Sequence, residues 1–204
     1  MSSNAAPSIS AEEALQRLKA GNERFVAGHA SFRLVQKERF SNLAKGQNPY
    51  GTILSCSDSR VPPELIFDAD AGELFIIRVA GNVVSTEVGA SLQYAAHHLQ
   101  TPLFVVLGQT NCGAIAAAID SKLHGTRQHS RIQLLVDSIL PGLAGLDPRL
   151  ASEAMVTQAA EANVRWSMRQ ILESPEGRER QAEGGLFLVG AVYAIETGRV
   201  RFLE

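Results

Sequence analysis

The two cysteines of the chain each stand just beyond an apolar run that predicts a buried β-strand. Cys56 directly follows the run Tyr50–Ser55, and Cys112 comes shortly after the run Leu103–Leu107. Because the carboxyl ends of neighbouring parallel strands meet at one edge of a sheet, we expect the two thiols to lie close together. Thiolates placed in this way bind a metal such as zinc, although buried cysteines in general are more often ordinary core residues.

The chain from Tyr50 onward alternates short β-rich runs with helical segments, which is typical of an α/β fold. The strand candidates are apolar along most of their length and are Tyr50–Ser55, Leu74–Val79, Leu103–Leu107 and Leu186–Tyr193. Such runs fit strands that are buried on both faces, so we predict a mostly parallel central sheet flanked by helices. The predicted helices lie at Thr86–Leu99, from Gly113 to about Leu123, and at Gln158–Leu172. The charged, glycine-punctuated segment Pro175–Gly185 predicts a solvated loop.

An amphipathic helix is predicted near the amino terminus. Ser10–Glu13 has the pattern of a capping box. The helix that follows carries apolar residues on one face, namely Ala14, Leu15, Leu18 and Phe25. This apolar stripe must be covered either by the rest of its own domain or by a neighbouring subunit. We predict a single domain over residues 1–204, with an N-terminal helical arm over 1–45 and an α/β core over 46–204.

Composition and charge narrow the classes of function. The 204 residues are 45% hydrophobic, which suffices for one domain with a sizeable core. Because 19 basic residues stand against 21 acidic ones, for a net charge of -2, we expect a small molecule or another copy of the chain as partner and no nucleic acid. Met1–Ser10 has no basic segment followed by an apolar one, and no stretch of about 18 apolar residues occurs. We therefore expect a cytoplasmic protein with no membrane partner.

Asp58 and Arg60 follow Cys56 closely enough to act at the same site. Two thiolates neutralise Zn²⁺, and one further neutral ligand would leave a fourth position for water, which zinc acidifies. Asp58 is close enough to contact either the metal or that water. We expect the guanidinium of Arg60 to keep the carboxyl ionised and oriented, since it lowers the carboxyl pKa and offers two parallel hydrogen bonds. An ordinary structural ion pair is the alternative.

These motifs resemble those of the β-class carbonic anhydrases, and the resemblance extends from about Ala14 to Glu204. It rests on Cys-Ser-Asp-Ser-Arg at 56–60, Asn-Cys-Gly-Ala at 111–114, Arg-Val-Ala-Gly-Asn at 78–82, the leading helix at 15–25 and the closing turn at 195–200. The resemblance implies a zinc lyase that interconverts carbon dioxide and bicarbonate in a homodimer or homotetramer. The site residues that it implies are Cys56 and Cys112 for the metal, Asp58 and Arg60 for catalysis, and Gln47, Phe75 and Tyr94 for the substrate pocket.

One position departs from the pattern of that family. Gln109 stands where the family has the histidine of its His-x-x-Cys motif, the third zinc ligand. An amide oxygen is a hard and weakly basic donor, so we expect the affinity for zinc to fall by roughly 100-fold or more. Asp58 is an alternative ligand, but as a ligand it would leave Arg60 and close the position for water. The candidate metal ligands are therefore Cys56, Cys112, Asp58 and Gln109.

Three functions remain open. The leading one is the hydration of carbon dioxide at a weakened zinc site. The second is a non-catalytic or zinc-deficient homologue that binds bicarbonate, another anion or a protein partner, and Gln109 is its motivation. The third is the hydrolysis of carbonyl sulfide or carbon disulfide, a specificity known within the same family. A nucleotide-binding domain is disfavoured because Ser55–Pro63, after the first predicted strand, contains no glycine and so no phosphate loop.

Overall fold

A computed structural model describes residues 9–31, 37–150 and 152–203 of the chain. Its central sheet has five strands, which are β1 (Gly51–Ser55), β2 (Leu74–Arg78), β3 (Phe104–Gln109), β4 (Leu188–Ala194) and β5 (Arg199–Phe202). Across the sheet the strands follow the order β2-β1-β3-β4-β5; the first four are parallel, and β5 runs antiparallel to β4. The predicted mostly parallel sheet is confirmed, and β5 is a strand that the sequence analysis did not predict.

Helices cover the sheet. Those within the described ranges are α1 (Ala11–Val26), α2 (Lys37–Leu43), α3 (Pro63–Ile66), α4 (Thr86–Tyr94), α5 (Gly113–His124), α6 (Arg131–Ile139), α7 (Ser152–Glu173) and α8 (Pro175–Ala182). Two short helical turns lie at Ala80–Asn82 and Leu140–Leu143, and a π-helical turn at Ala95–Leu99 continues α4. The helix predicted from Gln158 begins earlier, at Ser152. None of the helices in the described part of the chain is long and apolar enough to cross a membrane.

The solvated loop predicted at Pro175–Gly185 is wrong, because most of this segment forms helix α8. Ser174 caps the helix, since its side-chain oxygen accepts a hydrogen bond of 3.0 Å from the backbone N–H of Gly177. Pro175 lies in the first turn, where its missing N–H costs nothing and its fixed φ favours the helix. Several of the charges that indicated a loop lie on the exposed side of this helix.

The sheet is buried on both faces, which is why its central strands are apolar along most of their length. All five residues of β1 and all six of β3 are buried. On one face, Ile53 and Leu107 pack with α1. On the other face, Leu54 and Val106 pack with α4 and α7. The carboxyl ends of β1 and β3 lie side by side, because Ser55 pairs with Leu107 in the parallel register.

Helix α1 covers part of this core within its own chain. Its capping box is present: the N–H of Glu13 donates to the Ser10 hydroxyl (3.1 Å), and the N–H of Ser10 donates to the Glu13 carboxylate (2.8 Å). Ala14 and Leu18 are fully buried in the core on the first face of the sheet. The apolar stripe of α1 therefore packs against its own chain. Part of the predicted arm of residues 1–45 lies outside the described ranges.

Candidate functional site

Cys56 and Cys112 meet at the carboxyl edge of the sheet. Cys56 directly follows β1, and Cys112 is the residue before α5, three positions after β3 ends at Gln109. Both thiols are free and buried, with exposed fractions of 5% and 2%. Their side chains lie close enough for each thiol to shift the pKa of the other. The two strands therefore bring the thiols together, close enough to share one ion.

The contact between the two thiols shifts their pKa values in opposite directions. It lowers the pKa of Cys56 to about 5, with further help from the Gln109 side chain and from the backbone N–H of Gly81, which lies 3.3 Å from Cys56 Sγ. The same contact, together with burial, raises the pKa of Cys112. The pair therefore includes one thiol of lowered pKa, which favours the thiolate form that binds a metal.

The backbone N–H of Gly81 points at Cys56 from a tight turn. Two side chains of α7 hydrogen-bond to the carbonyls of this turn. Gly81 has a left-handed backbone conformation, with φ +68°, which glycine adopts without strain. Asn163 donates to the Gly81 carbonyl (2.8 Å) and Ser167 donates to the Asn82 carbonyl (2.9 Å), and both α7 side chains are wholly buried. These two residues were not predicted from the sequence. The signal for them is a pair of small polar residues spaced four apart on a helix face that packs against the core.

Asp58 and Arg60 form a two-pronged ion pair at the same edge. Arg60 Nε donates to Asp58 Oδ1 (2.9 Å), Arg60 Nη2 donates to Asp58 Oδ2 (2.7 Å), and the Arg60 backbone N–H also donates to Oδ1 (3.0 Å). These hydrogen bonds lower the pKa of Asp58 to about 2, so the carboxyl is ionised at neutral pH. Arg60 Nη2 also donates to the backbone carbonyl of Asn111 (3.1 Å), the residue before Cys112. The pair thus links the loops that carry the two cysteines.

Arg78, at the end of β2, holds the Cys56 loop from another side. Its Nε donates to the Cys56 carbonyl (3.0 Å) and its Nη2 donates to the Asp58 carbonyl (2.6 Å). From the sequence, Arg78 stands out only as part of the motif at 78–82. A side chain that binds backbone carbonyls far along the chain leaves no signal in residue spacing, so this function of Arg78 emerges only from the structure.

We expect Asp58→Asn to lower the free energy of unfolding by about 1 kcal/mol or less at pH 7, because the Arg60 side chain is half exposed and solvent screens the ion pair. The pKa of Asp58 is lower in the folded chain, at about 2, than its ordinary value of 3.8. The carboxylate therefore stabilises the fold above about pH 4, and this contribution is lost as the pH falls towards 2. Urea denaturation of both chains at pH 7, 4 and 3 measures the difference.

Asp147→Asn is the matched control. Asp147 and Arg149 have the same spacing and form the same two-pronged pair, with both side-chain hydrogen bonds at 2.9 Å, but Arg149 is 87% exposed. We expect a smaller loss of stability there, because solvent screens the pair more fully. A loss at Asp58 that is as large at pH 3 as at pH 7 would contradict the lowered pKa.

Gln109 is buried beside a thiol and the acid without a hydrogen bond of its own. It is 1% exposed, and neither its amide oxygen nor its amide nitrogen has a hydrogen-bond partner of normal geometry. The side chain nevertheless lies close enough to Cys56 and Asp58 to lower the pKa of both groups. An unpaired buried amide lowers the stability of the fold. This indicates that a further polar group binds beside Gln109.

The donors at this edge fit zinc, but with one good ligand fewer than a complete set. The two thiols, one of them with a lowered pKa, are donors that zinc prefers, and the unpaired amide oxygen of Gln109 is a third and weaker donor. Asp58 is held by Arg60. Within 9–31, 37–150 and 152–203, no group of three or more His, Cys, Asp and Glu side chains is arranged to hold a metal ion. The site therefore suits a zinc ion held mainly by two cysteines.

Gln47, Phe75 and Tyr94 form a separate group, away from the thiols of their own chain. The ring of Tyr94 lies 6.0 Å from that of Phe75 and 5.0 Å from that of His98. Gln47 borders the same cavity as Tyr94 and His98. Phe75 pairs with Thr52, four residues before the first cysteine, which is roughly 13 Å along the strand at about 3.3 Å per residue. One chain therefore does not bring these three residues to its own thiols.

The sequence matches the profile of the carbonic anhydrase family over residues 51–200. The chain is similar to carbonic anhydrase 2 of Mycobacterium tuberculosis, with 35% identity over 194 residues that cover 95% of this chain and 93% of that protein. It is also similar to the carbonic anhydrase of Mycolicibacterium smegmatis, with 32% identity over 195 residues, or 95% of this chain and 94% of that one. Among solved structures, the fold resembles a tetrameric β-carbonic anhydrase of Sordaria macrospora, with a TM-score of 0.75, 26% identity, and coverage of 94% of this chain and 97% of that one.

Proposed function

The chain belongs to the β-carbonic anhydrase family, and from this premise we propose that it catalyses the reversible hydration of carbon dioxide to bicarbonate at a zinc site weakened by Gln109. The observation that carries the proposal is the pair of buried, free thiols at the sheet edge, beside a carboxylate whose two oxygens are held by Arg60. Cys56, Cys112 and the amide oxygen of Gln109 would hold the ion. Zinc, when bound, supplies the Lewis-acid chemistry that activates water.

Asp58 and Arg60 would orient the reactants. The carboxylate of Asp58 stays ionised because Arg60 holds both of its oxygens, so it is able to accept a hydrogen bond from a water molecule and to direct that molecule towards carbon dioxide. Its pKa of about 2 makes Asp58 a poor general base at neutral pH. The role that fits Asp58 is therefore to position water rather than to take its proton.

Gln47, Phe75 and Tyr94 would serve the substrate pocket only if a second copy of the chain supplied them. Tyr94 is 46% exposed, and its group lies away from the thiols of its own chain. A homodimer or homotetramer that places this group over a partner's thiols would enclose the site with apolar rings, which suits a small apolar substrate such as carbon dioxide. The relatives from Sordaria macrospora are tetrameric, which supports this arrangement.

A second candidate is a non-catalytic homologue that binds bicarbonate, another anion or a protein partner. One observation favours it: the buried amide of Gln109 stands beside the thiols in the place of a third good zinc donor. Without a third strong donor, the affinity for zinc is expected to fall by roughly 100-fold or more. The two candidates differ first in whether the purified chain retains zinc.

Stopped-flow measurement of carbon dioxide hydration, with and without a zinc chelator, tests the proposal. We expect a rate above that of buffer, together with zinc in the purified chain, and we expect the chelator to abolish the rate. Cys112→Ser is the control, because it keeps the size of the side chain while it removes one thiolate, and it should lack both zinc and rate. A folded chain with neither zinc nor rate would contradict the proposal and favour the non-catalytic homologue.

A further inference from the structure

Glu196, in the turn between β4 and β5, binds the loop that carries Cys112. Its carboxylate accepts a hydrogen bond from the side-chain amide of Asn111 (2.6 Å) and from the hydroxyl of Thr110 (3.0 and 3.2 Å to its two oxygens). The Thr110 hydroxyl in turn accepts from the backbone N–H of Ile195 (3.0 Å). The turn and the residues between β3 and α5 therefore form one hydrogen-bonded unit.

Asn111 is the residue that most needs this support. Its backbone φ is +53°, in the left-handed region that strains most residues and that asparagine tolerates better than most. Its carbonyl accepts from Arg60 Nη2 (3.1 Å), and its peptide bond leads directly into Cys112. A rotation of the Asn111 backbone would therefore displace both the thiol of Cys112 and the guanidinium that holds Asp58.

We propose that Glu196 is a positioning residue for the metal site: by fixing Asn111, it sets where Cys112 stands relative to the other cysteine. The inference rests on the proposed function, because that function requires the metal. The hydrogen bonds that support the inference lie within the chain itself. Charge-assisted hydrogen bonds of this kind are stronger than neutral ones, and Glu196 makes them to two consecutive residues of the loop. Glu196 is exposed, so its substitution should spare the fold.

The test compares Glu196→Ala and Glu196→Gln with Thr197→Val, each made in the Gln109→His chain, where we expect zinc binding to be tightest. Thr197→Val is the matched control, because it removes a hydroxyl of the same turn, which accepts from the Arg199 N–H (3.3 Å). Zinc affinity, measured by competition with a chromophoric chelator, should fall roughly three- to tenfold in Glu196→Ala at an unchanged melting temperature. Glu196→Gln keeps one acceptor oxygen and should recover part of the affinity, and Thr197→Val should lose none.

Amide hydrogen exchange gives a second readout that needs no metal. The N–H of Ile195 should exchange roughly three- to tenfold faster in Glu196→Ala than in Thr197→Val. Unchanged exchange and unchanged affinity in Glu196→Ala would overturn the proposal, and so would an equal loss of affinity in both variants. Failure of the Gln109→His chain to take up zinc would count against the proposed function instead, and the exchange rates would then test only whether Glu196 holds the loop.

Discussion

Gln109→His is expected to raise the affinity of the chain for zinc by roughly 100-fold or more, and to raise the rate of carbon dioxide hydration with it. An imidazole nitrogen matches the preference of zinc, whereas the amide oxygen of glutamine is hard and weakly basic. Competition with a chromophoric chelator measures the affinity. Stopped-flow hydration on the same samples, with and without added zinc, separates a gain in metal occupancy from a gain in the rate of the occupied site.

The location of Gln109 in the fold is the reason to expect so large an effect. The residue ends β3, is 1% exposed, and lies beside Cys56 and Asp58. Both polar atoms of its side chain are unpaired, which is a cost that the folded chain bears at present. Histidine would place a ring nitrogen in the same space, so the substitution would add a metal donor and remove an unpaired amide in one step.

Gln109→Leu is the control for burial alone. It removes the same two unpaired polar atoms and adds no donor, so we expect the free energy of unfolding to stay the same or rise while the affinity for zinc falls. Parental zinc affinity in Gln109→Leu would mean that the amide oxygen takes no part in binding the metal. A parent chain that already binds zinc as tightly as Gln109→His would contradict the view that position 109 is the weak point of the site.

The part of the fold that depends on burial could be predicted from the sequence. β1 and β3 are buried at every position because helices cover both faces of the sheet, and apolar runs of this kind identify such strands. The same reasoning places Cys56 and Cys112 at one edge. β5 escaped prediction because its four residues alternate between exposed and half-buried positions, which is a weak signal in so short a segment. For α8, a capping serine outweighs a charged composition that is typical of loops.

The parts that escaped prediction within the site depend on contacts between residues far apart in the chain. Asn163 binds the carbonyl of Gly81 across 82 positions, and Glu196 binds Asn111 across 85. Spacing along a helix can indicate that a polar residue faces the core, but it does not identify a partner at such range, because the contact exists only once the sheet has brought its edges together. The sequence therefore indicates candidate residues for the chemistry, whereas the residues that hold them in place have to be read from the structure.

Asn22→Ala is expected to lower the free energy of unfolding by about 3 kcal/mol, a large loss for one substitution. Asn22 lies on α1 and is 6% exposed. Its amide nitrogen donates to the carbonyls of Ile66 (3.2 Å) and Gly198 (2.8 Å), and its amide oxygen accepts from the N–H of Val200 (2.8 Å). Alanine would leave three backbone groups without these partners, at roughly 1–3 kcal/mol for each group that stays buried.

Glu23→Ala, at the next position of α1, is the matched control. Glu23 is exposed and alanine favours the helix, so we expect the free energy of unfolding to change by about 0.5 kcal/mol or less. Urea denaturation monitored by circular dichroism measures the change in the free energy of unfolding of both variants, from the shift in midpoint at a common m-value. Equal stability of the two variants would mean that α1 is only loosely attached, as a mobile arm would be.

The hydrogen bonds of Asn22 also connect α1 to the turn that carries Glu196. Gly198 belongs to the same turn as Glu196. Asn22 therefore binds this turn from α1, and Glu196 connects the same turn to Asn111. If the turn positions the site, loosening it from either side should have the same consequence. We therefore expect Asn22→Ala, in contrast to its control, to weaken zinc binding in the Gln109→His chain as well as to destabilise the fold. A loss of stability with unchanged zinc affinity would mean that α1 stabilises the core but has no effect on zinc binding through the turn.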